Sequence, residues 1–217
     1  YGSHTVTGGG VSTYTIPALT LGTAYYVRVR AYNSEGPGDY VVSAPSPLSP
    51  QTAPDLPINV FIFPISDVTI KVSFEKPAGD GGAAITMYRV QWDVDAAFSN
   101  IATSNYMHDI IVTDPLQTTF CYNIDVSAAS SSVPRFVRVL AYNGFDWSVP
   151  AISSPASTTA TLLAPGAPQT VVLTATSSVG MQLTWEAPSA DICTYGGDGG
   201  SPITQYMIEY DTSPDFD

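Results

Sequence analysis

The sequence predicts an all-β protein built from β-sandwiches in tandem, and three observations carry that reading. Apolar and polar residues alternate with period two in one run after another, Pro- and Gly-rich segments separate the runs, and long motifs recur roughly one sandwich length apart. Period two places one side-chain set in a core and the other in water. In VTIKVSF, residues 68–74, Val68, Ile70, Val72 and Phe74 share the predicted core face, while Thr69, Lys71 and Ser73 are assigned to solvent. In MYRVQWD, Tyr88, Val90 and Trp92 point inward, and Arg89, Gln91 and Asp93 outward. Tyr25, Val27, Val29 and Ala31 alternate in the same way with Tyr26, Arg28, Arg30 and Tyr32. No stretch sustains a helical period.

The recurring motifs set the domain organisation. YYVRVRAYN at 25–33 returns as RFVRVLAYN at 135–143, and APDLPINV at 53–60 returns as APGAPQTV at 164–171, at nearly the same spacing. GDGGAAITMYRVQWD at 79–93 returns as GDGGSPITQYMIEYD at 197–211, at a slightly wider spacing because SADICTY at 189–195 is inserted. All three fit one period, close to the length of a single sandwich. Within one unit the order is AP-x-x-P, GDGG, VRV-x-AYN, so only residues 52–161 hold a whole unit. Residues 1–51 hold the back half of one, and residues 162–217 the front half of another. The expected arrangement is half, whole, half: a window cut from a longer array, or chains joined in this register, since Asp217 followed by Tyr1 would roughly complete a unit. A sandwich cut between strands exposes an apolar face and unpaired edges, so neither half is expected to be stable alone.

Composition bounds the function classes. The chain of 217 residues carries 7 Lys plus Arg against 19 Asp plus Glu, a formal charge of -12, with only 12% charged residues, 18 Pro and 17 Gly. Such an acidic chain repels phosphate backbones and anionic lipid headgroups, so nucleic acid and membrane surfaces are poor partners. No apolar run approaches the roughly 20 residues of a membrane helix. The chain opens on Tyr1 with neither initiator Met nor signal peptide, so its targeting signals are expected to lie outside this sequence. Cys121 and Cys193 lie far apart without His neighbours, which argues against zinc; free or intermolecular thiols are expected in preference to a bond between them.

The chain resembles the fibronectin type III family over essentially its full length. QLTWEAP at 182–188 is similar to the family's second strand with its core Trp185, and LTLGTAYYVRVRAYN at 19–33 to its tyrosine corner and sixth strand. The resemblance implies that the hydroxyl of Tyr25 bonds back to the chain just upstream. The middle unit departs twice, with Phe74 in place of the core Trp and Arg135 in place of the corner Tyr, and its preceding turn SAASSSVP is longer, so its corner must be held differently. The style of GDGGSPIT followed by IEYDTSPDF also resembles repeats in large surface and filament glycoproteins of algae and protists, mastigonemes among them.

Catalysis has no visible footing. His4 and His108 are the only histidines, and neither stands in a nucleophile or metal pattern; no HExxH, GxSxG or phosphate loop occurs, and no cofactor is implied. The acidic groups at Asp93 and Asp95 and at Asp211, Asp215 and Asp217 lack EF-hand spacing, so solvated turns are favoured over calcium. GDGG is assigned to a turn rather than an anion cradle, and no Arg-Gly-Asp tripeptide is present.

Five of the seven cations, Arg28, Arg30, Arg89, Arg135 and Arg138, lie on two neighbouring strands, and four of them, Arg28, Arg30, Arg89 and Arg138, face outward by alternation. With Tyr26, Tyr32, Phe136 and Tyr142 they form a candidate basic and aromatic seam. Two readings stand: cation-π and ion pairing within one domain, or docking of an acidic loop from a neighbouring chain. Phe145 and Trp147 in NGFDWSVP are candidate contact anchors, with the alternative that Trp147 covers its own sandwich. The linkers SAPSPLSPQTAPDLP and SSPASTTATLLAPGAP favour extended, semi-rigid chain and could carry O-linked sugars, whereas no Asn-x-Ser/Thr acceptor exists.

The leading expectation is therefore a non-catalytic extracellular or cell-surface structural protein whose partners are copies of the same or similar chains. Spacer modules of a secreted carbohydrate-active enzyme, or part of a receptor ectodomain, are the alternatives.

Overall fold

The computed structural model describes residues 2–10, 12–101, 106–127, 132–189 and 197–216. These contain thirteen strands: β1 (Arg28–Val29), β2 (Tyr32–Asn33), β3 (Gly36–Pro37), β4 (Val41–Val42), β5 (Ile58–Pro64), β6 (Thr69–Glu75), β7 (Met87–Asp93), β8 (Met107–Ile111), β9 (Thr119–Asp125), β10 (Arg135–Tyr142), β11 (Ala151–Thr158), β12 (Gln169–Ser177) and β13 (Gly180–Glu186).

Strands β5 to β11 form one complete sandwich. One sheet runs β5-β6-β9 and the other β8-β7-β10-β11, all pairs antiparallel, and a parallel bridge between Phe61 of β5 and Ser154 of β11 joins them along one edge. Between the sheets lie the predicted inward residues Ile70, Val72 and Phe74 of β6 and Tyr88, Val90 and Trp92 of β7, together with Phe120 and Ile124 of β9 and Val137, Val139 and Ala141 of β10. Phe74 stands at the centre, edge-on to Tyr88 at 5.0 Å between ring centroids and stacked on Phe120 at 5.6 Å. Edge-to-face and offset-stacked rings align positive rim with negative face, so this cluster substitutes for the missing Trp. Burial among these rings pushes the Tyr88 phenol up to about 12. The described residues are all-β, and their complete unit is an antiparallel β-sandwich, the class that the sequence predicts.

The outward faces are less open than alternation predicts. Lys71 and Ser73 are buried, because β6 is the central strand of three and their flanks are closed by Phe61 and Phe63 on β5 and by Cys121 and Asn123 on β9. Gln91 and Asp93 are buried too, the first beside Arg138 and the second beneath Asn100. Val68, assigned to the core, is exposed in the turn before β6.

The flanking segments repeat parts of this unit in register. β1 pairs with β4 as Arg28↔Val42 and Val29↔Val41, and β10 pairs with β11 as Arg138↔Ile152 and Val139↔Ala151, each residue one motif period from its counterpart. β12 pairs with β13 as Gln169↔Glu186, Val172↔Thr184 and Leu173↔Leu183. These match Ile58↔Glu75, Phe61↔Ser73 and Ile62↔Val72 of β5 and β6, again one period apart and including the register shift after the first pair. Segment 25–48 is thus folded as the back hairpin of a unit, and segment 169–186 as the front hairpin of one. The buried hydrophobic residues among those described all fall between Val60 and Ala160.

Both corners are visible. The hydroxyl of Tyr25 accepts a hydrogen bond from the amide of Thr20 at 3.0 Å, which is the tyrosine corner that the resemblance implied, and this backbone bond lowers the phenol from its ordinary value. In the middle unit Arg135 turns inward, 2% exposed, and its guanidinium donates to the carbonyl of Val133 at 2.8 Å. The corner is held by a donor where the other uses an acceptor. Residues 128–131 of the longer turn lie outside the described residues.

Truncating the central ring tests the core. Phe74→Ala should cost about 3–5 kcal/mol of stability, the usual range for emptying a buried aromatic site. Denaturant unfolding followed by the fluorescence of Trp92 would read it.

Candidate interaction surfaces

Two surfaces collect the residues singled out in the sequence: the joints between units and the outer face of β7 and β10. The joints are built from GDGG. Residues 52–55 lie along this loop, with the amide of Thr52 donating to Gly81 O at 2.9 Å and that of Asp55 to Gly79 O at 3.0 Å. The side-chain amide of Asn143 donates to both Thr52 O and Asp80 O at 2.8 Å, tying the end of β10 to the same clasp. At the next joint the amides of Leu163 and Gly166 donate to Gly199 O and Gly197 O, both at 3.0 Å. The two clasps use equivalent backbone atoms.

Glycine is required at their centre. Gly81 and Gly199 take φ of +72° and +70°, and a Cβ would come within 2.3 Å of Thr52 O in one and 2.1 Å of Leu163 O in the other. Asp80 and Asp198 each accept the amide of the second following glycine at 2.9 Å, closing the turn on itself. The acid therefore serves its own loop, as the turn reading expects. Each loop also presses on the preceding unit: a Cβ on Gly82 would meet Gly22 N at 2.7 Å, and one on Gly200 would meet Ser66 Cα at 2.6 Å. The inserted residues 190–195 lie outside the described residues.

On the outer face of the complete unit, Arg89 forms an ion pair with Asp109 of β8 through two hydrogen bonds at 2.6 and 2.7 Å. That bond raises the Arg89 guanidinium and holds the Asp109 carboxyl below its usual range. Both side chains stay about one-third exposed, so the pair contributes less than about 1 kcal/mol. The guanidinium also sits 4.4 Å over Trp147, whose ring is 4.8 Å from Tyr142. Arg138 donates to Gln91 at 2.7 Å and lies 4.2 Å over Phe98. In segment 25–48, Arg28 lies 3.8 Å over Tyr40, and Arg30 lies 4.4 Å over Tyr40 and 4.9 Å over Tyr32. Every outward arginine of the seam therefore has an aromatic partner within its own unit, Trp147 leans on its own sandwich, and Phe145 is exposed at the tip of its loop.

Sequence reasoning missed Tyr40, Phe98 and Asp109 as partners of this seam. Each lies on a loop or neighbouring strand whose register the alternation of β7 and β10 does not reveal.

The loop after β7 is closed by acid-to-amide bonds. Burial works to raise the Asp93 carboxyl, but hydrogen bonds from the side chain of Asn100 at 3.0 Å, its amide at 2.8 Å and the amide of Asp95 at 3.1 Å outweigh it and hold the group below its ordinary value. Asp95 accepts from Ser99 and from the amide of Ala97, which lowers it as well. These oxygens face N–H and O–H donors, an arrangement suited to turn closure, and no group of three or more His, Cys, Asp or Glu residues able to hold a metal occurs among the described residues. Cys121 is disulfide-bonded, which corrects the expectation of a free thiol; Cys193 lies outside the described residues. His108 stacks on Tyr122 at 4.0 Å and His4 on Tyr14 at 4.4 Å, both as packing groups.

No protein-family model matches the chain. It is similar to a human protein named ankyrin repeat and fibronectin type-III domain-containing protein 1, with 32% identity over 110 residues that cover 48% of this chain and 9% of that protein. The mouse counterpart is 32% identical over 107 residues, covering 49% and 7%. The chain spans less than a tenth of the length of these relatives. Among solved structures it overlaps domains from titin at a TM-score of 0.42 and 24% identity, covering 64% of this chain and 41% of that one. It overlaps domains of the extracellular region of rat CD45 at 0.40 and 14%, covering 73% and 75%.

Two outcomes are expected of this geometry. Gly81→Ala should destabilise the chain by about 1–3 kcal/mol or more through strain at positive φ and loss of the Thr52 bond, read by thermal unfolding. Asp93 and Asp109 are held below their unfolded values, so their contribution is complete above about pH 4 and is lost as pH falls through the lower folded values. Asp93→Asn should cost about 1–3 kcal/mol at neutral pH, by leaving donors of Asn100 unmatched, and should flatten this acid loss. An unchanged acid profile in the variant would assign the pH dependence elsewhere.

Proposed function

We propose that the chain is a non-catalytic extracellular structural or adhesive repeat protein, a building block of a cell-surface or filamentous assembly, with the mastigoneme type of filament as its specific form. The observation that carries the reading is the repeated joint. At two successive junctions the same backbone hydrogen bonds fold the linker onto the GDGG loop of the following unit, and that loop packs closely on the preceding unit, at Gly22 in one and Ser66 in the other, so consecutive units are held against each other instead of swinging on a free tether. A rod of such units suits a spacer or filament, because identical joints propagate one geometry.

Other features support it. The disulfide at Cys121 fits an oxidising, extracellular compartment. The acid-rich surface keeps such a rod soluble and away from anionic membranes and nucleic acid. Ser and Thr in the Pro-rich linkers offer sites for O-linked sugars. The named relatives carry ankyrin repeats beside their fibronectin type III domains; the matched stretch is about one period long, and it is that module alone which this reading uses. The partners are further copies of the same or similar repeat chains, meeting through the arginine and aromatic seam and through Phe145.

Electron microscopy of native material tests the reading. A regular polymer is expected; monodisperse short particles, or a chain continuing into a glycosidase domain or a membrane helix, would replace it with one of the alternatives.

A further inference from the structure

The complete unit has a sheet edge that runs along its flank, between the poles where the joints lie. In the sheet β8-β7-β10-β11 the outermost strand is β8, and among the described residues no strand pairs with its far side. The bonds to β7 identify the backbone groups that remain. The amide of Val112 donates to Thr86 O and that of Trp92 to Tyr106 O, both at 3.0 Å, so the even-numbered residues from 106 to 112 turn their N–H and C=O groups toward β7. Antiparallel pairing alternates, so Met107, Asp109 and Ile111 turn theirs away from the sheet, along the flank.

Sheet edges are usually blunted by a lysine, a proline, a bulge or an uncompensated charge. β8 has none of these. Its residues are MHDII, its register with β7 runs unbroken from Gln91↔Met107 to Met87↔Ile111, and its one acidic side chain, Asp109, is tied to Arg89 at 2.6 Å. Ile110 and Val112 pack against the core, whereas Ile111 is 63% exposed on the outer face. Although the chain carries a formal charge of -12, the Arg89–Asp109 pair leaves this strand without net repulsion toward a like strand.

We propose that β8 pairs with β8 of a second copy of this chain, antiparallel, about a two-fold axis at Ile111. The occupant is a second copy because this strand is complementary to itself. A two-fold axis through the sheet keeps outward side chains opposite outward ones, which leaves few registers. Centring it on Asp109 would set two carboxylates face to face, and centring it on Ile110 would set Asp109 against Ile111. Centring it on Ile111 packs the exposed Ile111 side chains on each other, sets Asp109 opposite the hydroxyl of Thr113 and His108 opposite Asp114, and places Ile110 beside Val112. Backbone bonds then form between the two Ile111 residues and between Asp109 and Thr113, through groups that β7 does not use. The two sheets become one, and two rows of units lie side by side in opposite directions. This lateral contact is separate from the glycine-loop joints and goes beyond the end-to-end order proposed above. A strand edge buries less than the roughly 1,000 Å² of a stable interface, so the contact is weak for one unit and gains strength by repetition along two rows.

Cysteine crosslinking of the 217-residue chain reads the register. Residues paired across the axis have Cα atoms about 5.5 Å apart, within disulfide reach, so Ile111→Cys should give a covalent dimer on mild oxidation, joined through position 111. Asp109→Cys, whose two-fold mates lie out of reach in this register, and Leu116→Cys, at an 83% exposed site, should give only the background of random collision. Ile111→Pro removes an outward N–H and no bond to β7; it should weaken concentration-dependent association in sedimentation equilibrium by about tenfold or more while the melting profile is kept. In hydrogen exchange the amides of Asp109, Ile111 and Thr113 should gain protection as wild-type concentration rises, and those of His108 and Ile110 should be protected throughout. A dimer yield at position 111 no higher than at 116, or exchange at 109 and 111 independent of concentration, overturns the proposal; crosslinking at 109 in preference to 111 overturns its register. A regular polymer of native material beside a failed crosslink would remove the edge pairing and leave the structural role standing, whereas a strong crosslink at 111 with short native particles would do the reverse.

Discussion

A β-sheet with one apolar face cannot stand in water until a second sheet covers it, and this requirement organises the whole chain. Residues 52–161 meet it internally. Phe74, Tyr88 and Phe120 of one unit close on Val137 and Val139, and every further feature of that unit, from the inward Arg135 to the buried Asp93, hangs from that closure. The flanking segments pair β1 with β4 and β12 with β13 in the registers of β10 with β11 and β5 with β6, while residues 202–210 form no strand.

Much of the fold was legible because period two, punctuation and repeat spacing all report backbone geometry. GDGG as a turn follows from local residues, whereas Phe74 in the place of a core Trp and Tyr25 as a corner follow from the resemblance to the fibronectin type III family. The faces of β6 and β7 were harder. Lys71, Ser73, Gln91 and Asp93 alternate as outward residues, and they do point outward, but a central strand position and a returning loop bury them; alternation gives direction and says nothing about what lies beyond the sheet. The disulfide of Cys121 was illegible for a related reason, since proximity in space is set by tertiary packing.

The candidate surface was legible in part. Alternation placed Arg89 and Arg138 on one face, and pairing of β7 with β10 sets them side by side. Which groups would satisfy them was hidden, because Asp109, Phe98 and Tyr40 arrive from elements whose registers are fixed by packing and loop length. The consequence is chemical. Arg89 is already paired with Asp109 within its unit, while Arg28 and Arg30 rest on aromatic faces that leave their charge uncancelled, so the arginines of the seam differ in what they can still attract.

The single parallel bridge between β5 and β11 has a mechanical meaning. β5 opens the unit and β11 closes it, and because the two run in the same direction the chain enters at one pole and leaves at the other. Tension along a row of such units would slide these two strands past each other, loading the contacts between them together instead of peeling them one at a time. A pulled array would then yield first at its joints, where the glycine loops abut the preceding unit at Gly22 and Ser66, and its sandwiches would hold until the joints had straightened.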